Sequence, residues 1–306
     1  MGGTRAPAPL QWPVLAVALR LPFISASIAP FIFGACLARS GVFHSRFFLG
    51  LLAAVAVHLG ANLINDYADS RSGADWQDQR FFGFFGGSKL IQHGILSEQD
   101  YLRLSCGCFA VAALAVSRLA VLMGSVLPLA LAAGIALLAW SYSQPPLQLV
   151  YRCLGEPVIF LLFGPALVMG GFYVQTGLFP AADIFFLSVP VGLLVTAILF
   201  ANEIPDFPED IAAGKRTWVS LTGQRRAYIL YYLLCLAAFA AIGVAVARSL
   251  LPPPALMSGI GIFFVLRAGR ILRQSYQDKA RCVRSAQDTI ALFMVVVLIL
   301  TGVVLR

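Results

Sequence analysis

Eight of the fourteen acidic residues of this chain fall in two short clusters, each at the end of a long apolar stretch. The first reads Asn62-Leu-Ile-Asn65-Asp66-Tyr-Ala-Asp69-Ser-Arg-Ser-Gly73-Ala-Asp75, with Asp78 just beyond. The second reads Asn202-Glu203-Ile-Pro205-Asp206-Phe-Pro208-Glu209-Asp210, followed by Ala213-Gly-Lys215-Arg216-Thr217. Carboxylates near a bilayer are costly unless they reach water or bind something, so both clusters are candidate functional sites. Carboxylate sets with Lys and Arg close by suit hard divalent cations that hold a polyphosphate.

On a helix Asp66 and Asp69 share a face, with Asn62 one turn before Asp66 and Asn65 one turn before Asp69. Gly73 permits a sharp turn that would bring Asp75 back to the same site. Asp206 and Asp210 are four apart, and Asn202 lies one turn before Asp206. Either stripe alone also fits a solvated helix end. Their shared form (Asn, then Asp one turn on, then a further Asp) favours two related halves facing one cavity. Mg²⁺ fits such a site, because it takes one or two carboxylates and fills its shell with water and phosphate oxygens. Lys89, in Gly-Gly-Ser-Lys, and Lys215-Arg216 follow the clusters and could neutralise phosphate, although Lys89 is equally an ordinary loop lysine. Arg20 interrupts an apolar stretch and needs an anion: either an aspartate or a substrate carboxylate, of which we favour the ligand. The segment Phe81-Phe82-Gly-Phe84-Phe85-Gly-Gly suits an interfacial cap over the site or a membrane anchor.

The elements that must position these groups are membrane helices. The chain of 306 residues is 59% hydrophobic and 12% charged, with a mean hydropathy of +0.84. That composition marks a multi-spanning membrane protein, and one helical bundle over 1–306 accounts for the length. Apolar runs occur near 12–38, 46–66, 101–123, 125–143, 156–176, 183–204, 226–248, 254–272 and 288–306. Nine spans, rather than eight with the third and fourth merged, place both acidic clusters on one membrane face. That face then carries sixteen of the 22 Lys and Arg, so the positive-inside rule makes it cytoplasmic. Pro205 and Pro208 predict that regular helix breaks around Asp206.

The net charge of +8 does not point to nucleic acid, because the basic residues are scattered through short loops without interleaved aromatics. Arg267, Arg270, Arg273, Lys279, Arg281 and Arg284 are read as contacts to anionic headgroups. Arg5 precedes a first helix without a convincing cleavage site, read as uncleaved. The six scattered cysteines are read as small buried hydrophobes, and His44, His58 and His93 are isolated from one another in sequence.

With these residues in view, the chain resembles the UbiA superfamily of intramembrane aromatic prenyltransferases. Asn65, Asp66 and Asp69 match its first aspartate-rich motif, while Gly73 and Asp75 give the spacing of the 1,4-dihydroxy-2-naphthoate polyprenyltransferases of menaquinone synthesis. Tyr142-Ser-Gln-Pro-Pro-Leu147, Tyr151-Arg-Cys-Leu-Gly-Glu156 and the Gly164–Gly177 stretch point the same way, and the second cluster resembles the second motif. Glu203 departs from it, standing where many relatives have Asn or Asp, and Arg152-Cys153 replaces the more usual Arg-Gly. The resemblance extends from about Arg20 to Gly223. It implies an all-α bundle of about nine transmembrane helices around a central cavity open to lipid. It also implies Mg²⁺-dependent ionisation of a polyprenyl diphosphate and attack by an electron-rich aromatic acceptor.

By that resemblance Asp66, Asp69, Asp75, Asp206 and Asp210 would hold Mg²⁺, with Asn62, Asn65 and Asn202 in support. Lys89, Lys215 and Arg216 would grip diphosphate, and Arg20 would take the acceptor's carboxylate. Tyr142 would face the allylic cation, where an aromatic face adds about 2 kcal/mol. The bilayer is the implied surrounding, with no nucleic acid and no obligatory protein partner. Other acceptors remain open (4-hydroxybenzoate, homogentisate, haem or a glycerol phosphate lipid), as do a cation-coupled transporter and a scaffold without turnover.

Overall fold

A computed structural model describes residues 12–39 and 44–305, so Arg5 and Arg306 lie outside the described residues. Twelve α-helices run in order: α1 Trp12–Ala18, α2 Ser25–Leu37, α3 Ser45–Ser72, α4 Glu98–Met123, α5 Leu127–Ser143, α6 Gly155–Leu161, α7 Leu167–Thr176, α8 Ala182–Ala212, α9 Trp218–Thr222, α10 Ala227–Ala247, α11 Ile262–Gln274 and α12 Lys279–Val304. No strand occurs among the described residues. The all-α membrane bundle expected from the sequence is the observed architecture.

Among the described residues seven helical spans are long and apolar enough to cross a membrane, and α1 with the Leu21–Leu37 stretch makes an eighth, bent by 55°. The bend sits at Arg20, whose φ of 50° is left-handed, two residues before Pro22. The remaining apolar helix, α5, has only 17 residues, about 25 Å of rise. The expected count of nine therefore does not follow from length and composition: the ninth run is too short to qualify on those grounds.

α6 and α7 form one span through a π-turn at Leu162–Ala166 that contains Pro165. α8 is the central helix, packed against α2, α6, α7, α10 and α12. The crossing of α2 and α7 is backbone on backbone. A Cβ on Gly34 would lie 1.9 Å from the Val168 carbonyl oxygen, and one on Gly171 would lie 2.1 Å from that of Phe31. Small residues at such a crossing let two helices approach closely where lipid offers no hydrophobic driving force.

α8 corrects the expectation of a break at its acidic end, because it continues through Pro205 and Pro208 to Ala212. Pro208 has no N–H to give to the carbonyl of Ile204. The side chain of Gln224 supplies the missing donor, with Nε2 2.7 Å from that oxygen. The cysteine expectation also needs correction. Cys36, Cys235 and Cys282 are buried, but Cys108 and Cys153 are half-buried and Cys106 is exposed.

Candidate active site

α3 and α8 deliver the two acidic clusters to the same end of the bundle, at the mouth of a cavity of about 790 Å³. The inner wall is apolar, with Phe23, Phe31, Val57, Phe163, Met169 and Val195 among its lining. Asn62, Asn65, Asp69, Asp75, Asn202, Glu203, Asp206 and Asp210 line the polar part, with Tyr142, Lys89, Lys215 and Arg20.

Each of the five motif aspartates pairs with a cation of the chain. Asp66 is 2% exposed and takes the guanidinium of Arg20. Asp66 is thus the anion that Arg20 meets, while the Arg20 side chain also lines the cavity. Gly73 closes α3 in the left-handed region, φ 88°, and the chain turns directly into Asp75. Asp75 meets the ammonium of Lys89 at 2.9 Å, and both are buried. Burial and the charges of Asp69 and Asp66 push the Asp75 carboxyl up to about 7, against the pull of Lys89. Lys215 bridges the two clusters, 3.7 Å from Asp69 and 3.4 Å from Asp210. Burial alone would lower its pKa, but Asp210 and Asp69 outweigh that and hold it well above the usual lysine value. Arg216, expected beside it, is exposed and does not line the cavity.

The aromatic segment lies over the mouth. Phe82, Phe84 and Phe85 line the cavity, while Phe81 points out and is half exposed. Its backbone ties the two clusters together. The Gly86 amide donates to Asp206 at 2.7 Å, and the Ser88 amide donates to Asp66 at 3.3 Å.

Two site groups escaped the sequence reading. Lys279, assigned to lipid headgroups, instead lies 3.1 Å from Asp78, 3.0 Å from Glu209 and 3.5 Å from Asp206. It starts α12, remote in sequence from both clusters, and no local pattern marks it. Arg267 is likewise committed, to the buried Asp288. Tyr151 sits within a recognised stretch but was given no role; its hydroxyl donates to Asp69 at 3.3 Å. Burial, then the charge of Asp69, raises it to about 12, so it stays a donor at working pH.

The donor chemistry fits a hard cation. Asn202 Oδ1 and both Glu203 oxygens are buried without hydrogen-bond partners among the described residues. The remaining oxygens are carboxylates paired with basic side chains. Among the described residues no three such groups converge tightly enough to enclose an ion by themselves. That suits an ion that takes few protein ligands and completes its shell with water and substrate oxygens.

Comparison with known proteins agrees with this arrangement. Residues 27–302 match the model of the UbiA prenyltransferase family. UbiA prenyltransferase domain-containing protein 1 of Dictyostelium discoideum is 31% identical over 194 residues, covering 62% of this chain and 57% of that protein. The mouse protein of the same name is 32% identical, covering 71% and 64%. The 1,4-dihydroxy-2-naphthoate octaprenyltransferase of Mycobacterium tuberculosis is 32% identical, covering 60% of each. The chain thus spans less than two thirds of the length of these curated relatives. Among solved structures, a UbiA homolog from Archaeoglobus fulgidus bound to DMAPP and Mg²⁺ superposes with a TM-score of 0.64 at 15% identity, covering 92% of this chain and 98% of that one. A UbiA homolog from Aeropyrum pernix K1 gives 0.64 at 18%, covering 88% and 98%. At those identities the structural likeness establishes the fold.

Proposed function

Because the chain belongs to the UbiA prenyltransferase family, we propose that it transfers a polyprenyl group from an allylic diphosphate to 1,4-dihydroxy-2-naphthoate, as a step of menaquinone synthesis. The observation that carries this reading is the meeting of two acidic clusters, from α3 and α8, at the polar mouth of one apolar cavity. An amphipathic substrate with a charged head and a hydrocarbon tail matches that division.

Asp66, Asp69, Asp75, Asp206 and Asp210 would hold Mg²⁺, with Asn62, Asn65 and Asn202 alongside. Bound there, the ion would neutralise diphosphate and improve it as a leaving group. Lys89 and Lys215, already at the mouth, are the chain's cations for the phosphate oxygens. Arg216 is exposed and does not line the cavity, so that role stays with the two lysines. Tyr142 lines the cavity and would present its ring to the cationic charge that develops on the allylic carbon. The inner apolar wall takes the chain and keeps water away. The bias of Lys and Arg toward this end supports a cytoplasm-facing site.

The acceptor rests on the Gly73–Asp75 spacing and on relatives named as naphthoate octaprenyltransferases. The similar identity to UbiA prenyltransferase domain-containing protein 1 keeps a different acceptor as the second reading. Family membership leaves the cation-coupled transporter without support. The test is transfer by purified protein from a long-chain prenyl diphosphate, with Mg²⁺, to 1,4-dihydroxy-2-naphthoate or 4-hydroxybenzoate in parallel. Prenylated naphthoquinone that disappears with EDTA is expected. Product from the benzoate alone would refute the assigned acceptor.

A further inference from the structure

α3 presents one stripe to the cavity, and its character changes at His58. Before it stand Gly50, Ala53 and Val57; from His58 on, the stripe carries Asn62, Asn65 and Asp69. His58 is therefore where the hydrocarbon part of the cavity gives way to the polar part. In an allylic diphosphate the same change occurs at the reacting carbon, which is where an acceptor ring must lie. By helix rise, His58 stands about 6 Å deeper than Asn62.

The imidazole is fixed there. Its Nδ1 is 2.6 Å from Ser27 Oγ, and the ring meets Phe163 edge-on at 5.0 Å between centroids. His58 is 8% exposed and Ser27 1%. Ser27 occupies Nδ1, so the hydrogen-bonding capacity left to the ring is Nε2, which has no hydrogen-bond partner among the described residues. A prenyl tail offers nothing to that nitrogen, and diphosphate is held a turn or more nearer the mouth. A ring hydroxyl is the group that fits.

We infer that the His58–Ser27 pair is the subsite that recognises a hydroxyl of the aromatic acceptor, an inference that rests on the proposed prenyl transfer. Ser27 orients the imidazole, and His58 makes the contact. A site built to bond a hydroxyl discriminates against an analogue that lacks it.

The test compares wild type, His58→Phe, His58→Gln and Ser27→Ala with a long-chain prenyl diphosphate, Mg²⁺, and the hydroxylated acceptor or its methyl ether. Wild type is expected to favour the hydroxyl in kcat/KM by at least about tenfold. His58→Phe should erase that preference and raise the acceptor KM by a similar factor, while leaving the KM for prenyl diphosphate unchanged. His58→Gln should restore part of the preference, and Ser27→Ala should weaken it. If wild type transfers to no aromatic acceptor, the underlying reading falls. If wild type transfers but its preference survives in His58→Phe, or if both KM values rise together, the subsite alone is overturned.

Discussion

Every motif aspartate at the cavity mouth is already in contact with a cation of the chain: Asp66 with Arg20, Asp75 with Lys89, Asp69 and Asp210 with Lys215, and Asp206 with Lys279. A buried ion pair contributes little net stability, but breaking one strands a charge away from water. Arg20→Ala is therefore expected to cost about 3–5 kcal/mol by leaving Asp66 alone, read as a lower melting temperature in detergent. A variant as stable as wild type would contradict that pairing. Asp75 carries a second prediction. Its carboxyl, raised to about 7, is partly protonated at neutral pH. A cation favours the ionised form, so Mg²⁺ binding should expel a proton and weaken as pH falls through 7. Calorimetry at pH 6.5 in two buffers of different ionisation enthalpy should record that release. It should vanish above about pH 8.5 and be smaller in Asp75→Asn.

At the scale of elements, α8 shows what the sequence could and could not say. Two prolines around Asp206 argue locally for a break, and the cost of a lost hydrogen bond is real. The repair comes from Gln224, on the next segment and invisible to any local pattern, so the helix runs on and keeps Asp206 and Asp210 on one face. Gln224→Ala should leave the Ile204 carbonyl without a donor and cost about 1–3 kcal/mol. Pro208→Ala restores the backbone N–H, so in that background the same substitution should cost almost nothing. Equal costs in both backgrounds would refute the compensation. α3 was easier to read, because Asn62, Asn65 and Asp69 keep helical spacing and share the wall that the spacing implied. The bend at Arg20 was foreseeable from Pro22 as an interruption but not as a turn that delivers the guanidinium to Asp66.

For the whole molecule, the helical membrane class and the union of the two clusters were legible, because composition and repeated motifs carry both. The contribution of α12 was not. Lys279 belongs to a basic run whose other members sit at the same end of the bundle, and only the tertiary path brings it to Asp78, Glu209 and Asp206. Charge statistics cannot separate a lysine that faces headgroups from one that closes a cavity wall. The central claim is that carboxylates from two distant helices together bind a prenyl diphosphate through a divalent cation. Its most direct test is calorimetric binding of a non-reactive thio-analogue of a prenyl diphosphate to wild type, Asp69→Asn and Asp206→Asn, with and without Mg²⁺. Wild type should bind only with Mg²⁺, and each substitution, one in α3 and one in α8, should weaken binding by at least about tenfold, the factor set by about 1.4 kcal/mol. Binding that is indifferent to Mg²⁺, or that survives both substitutions intact, would contradict it.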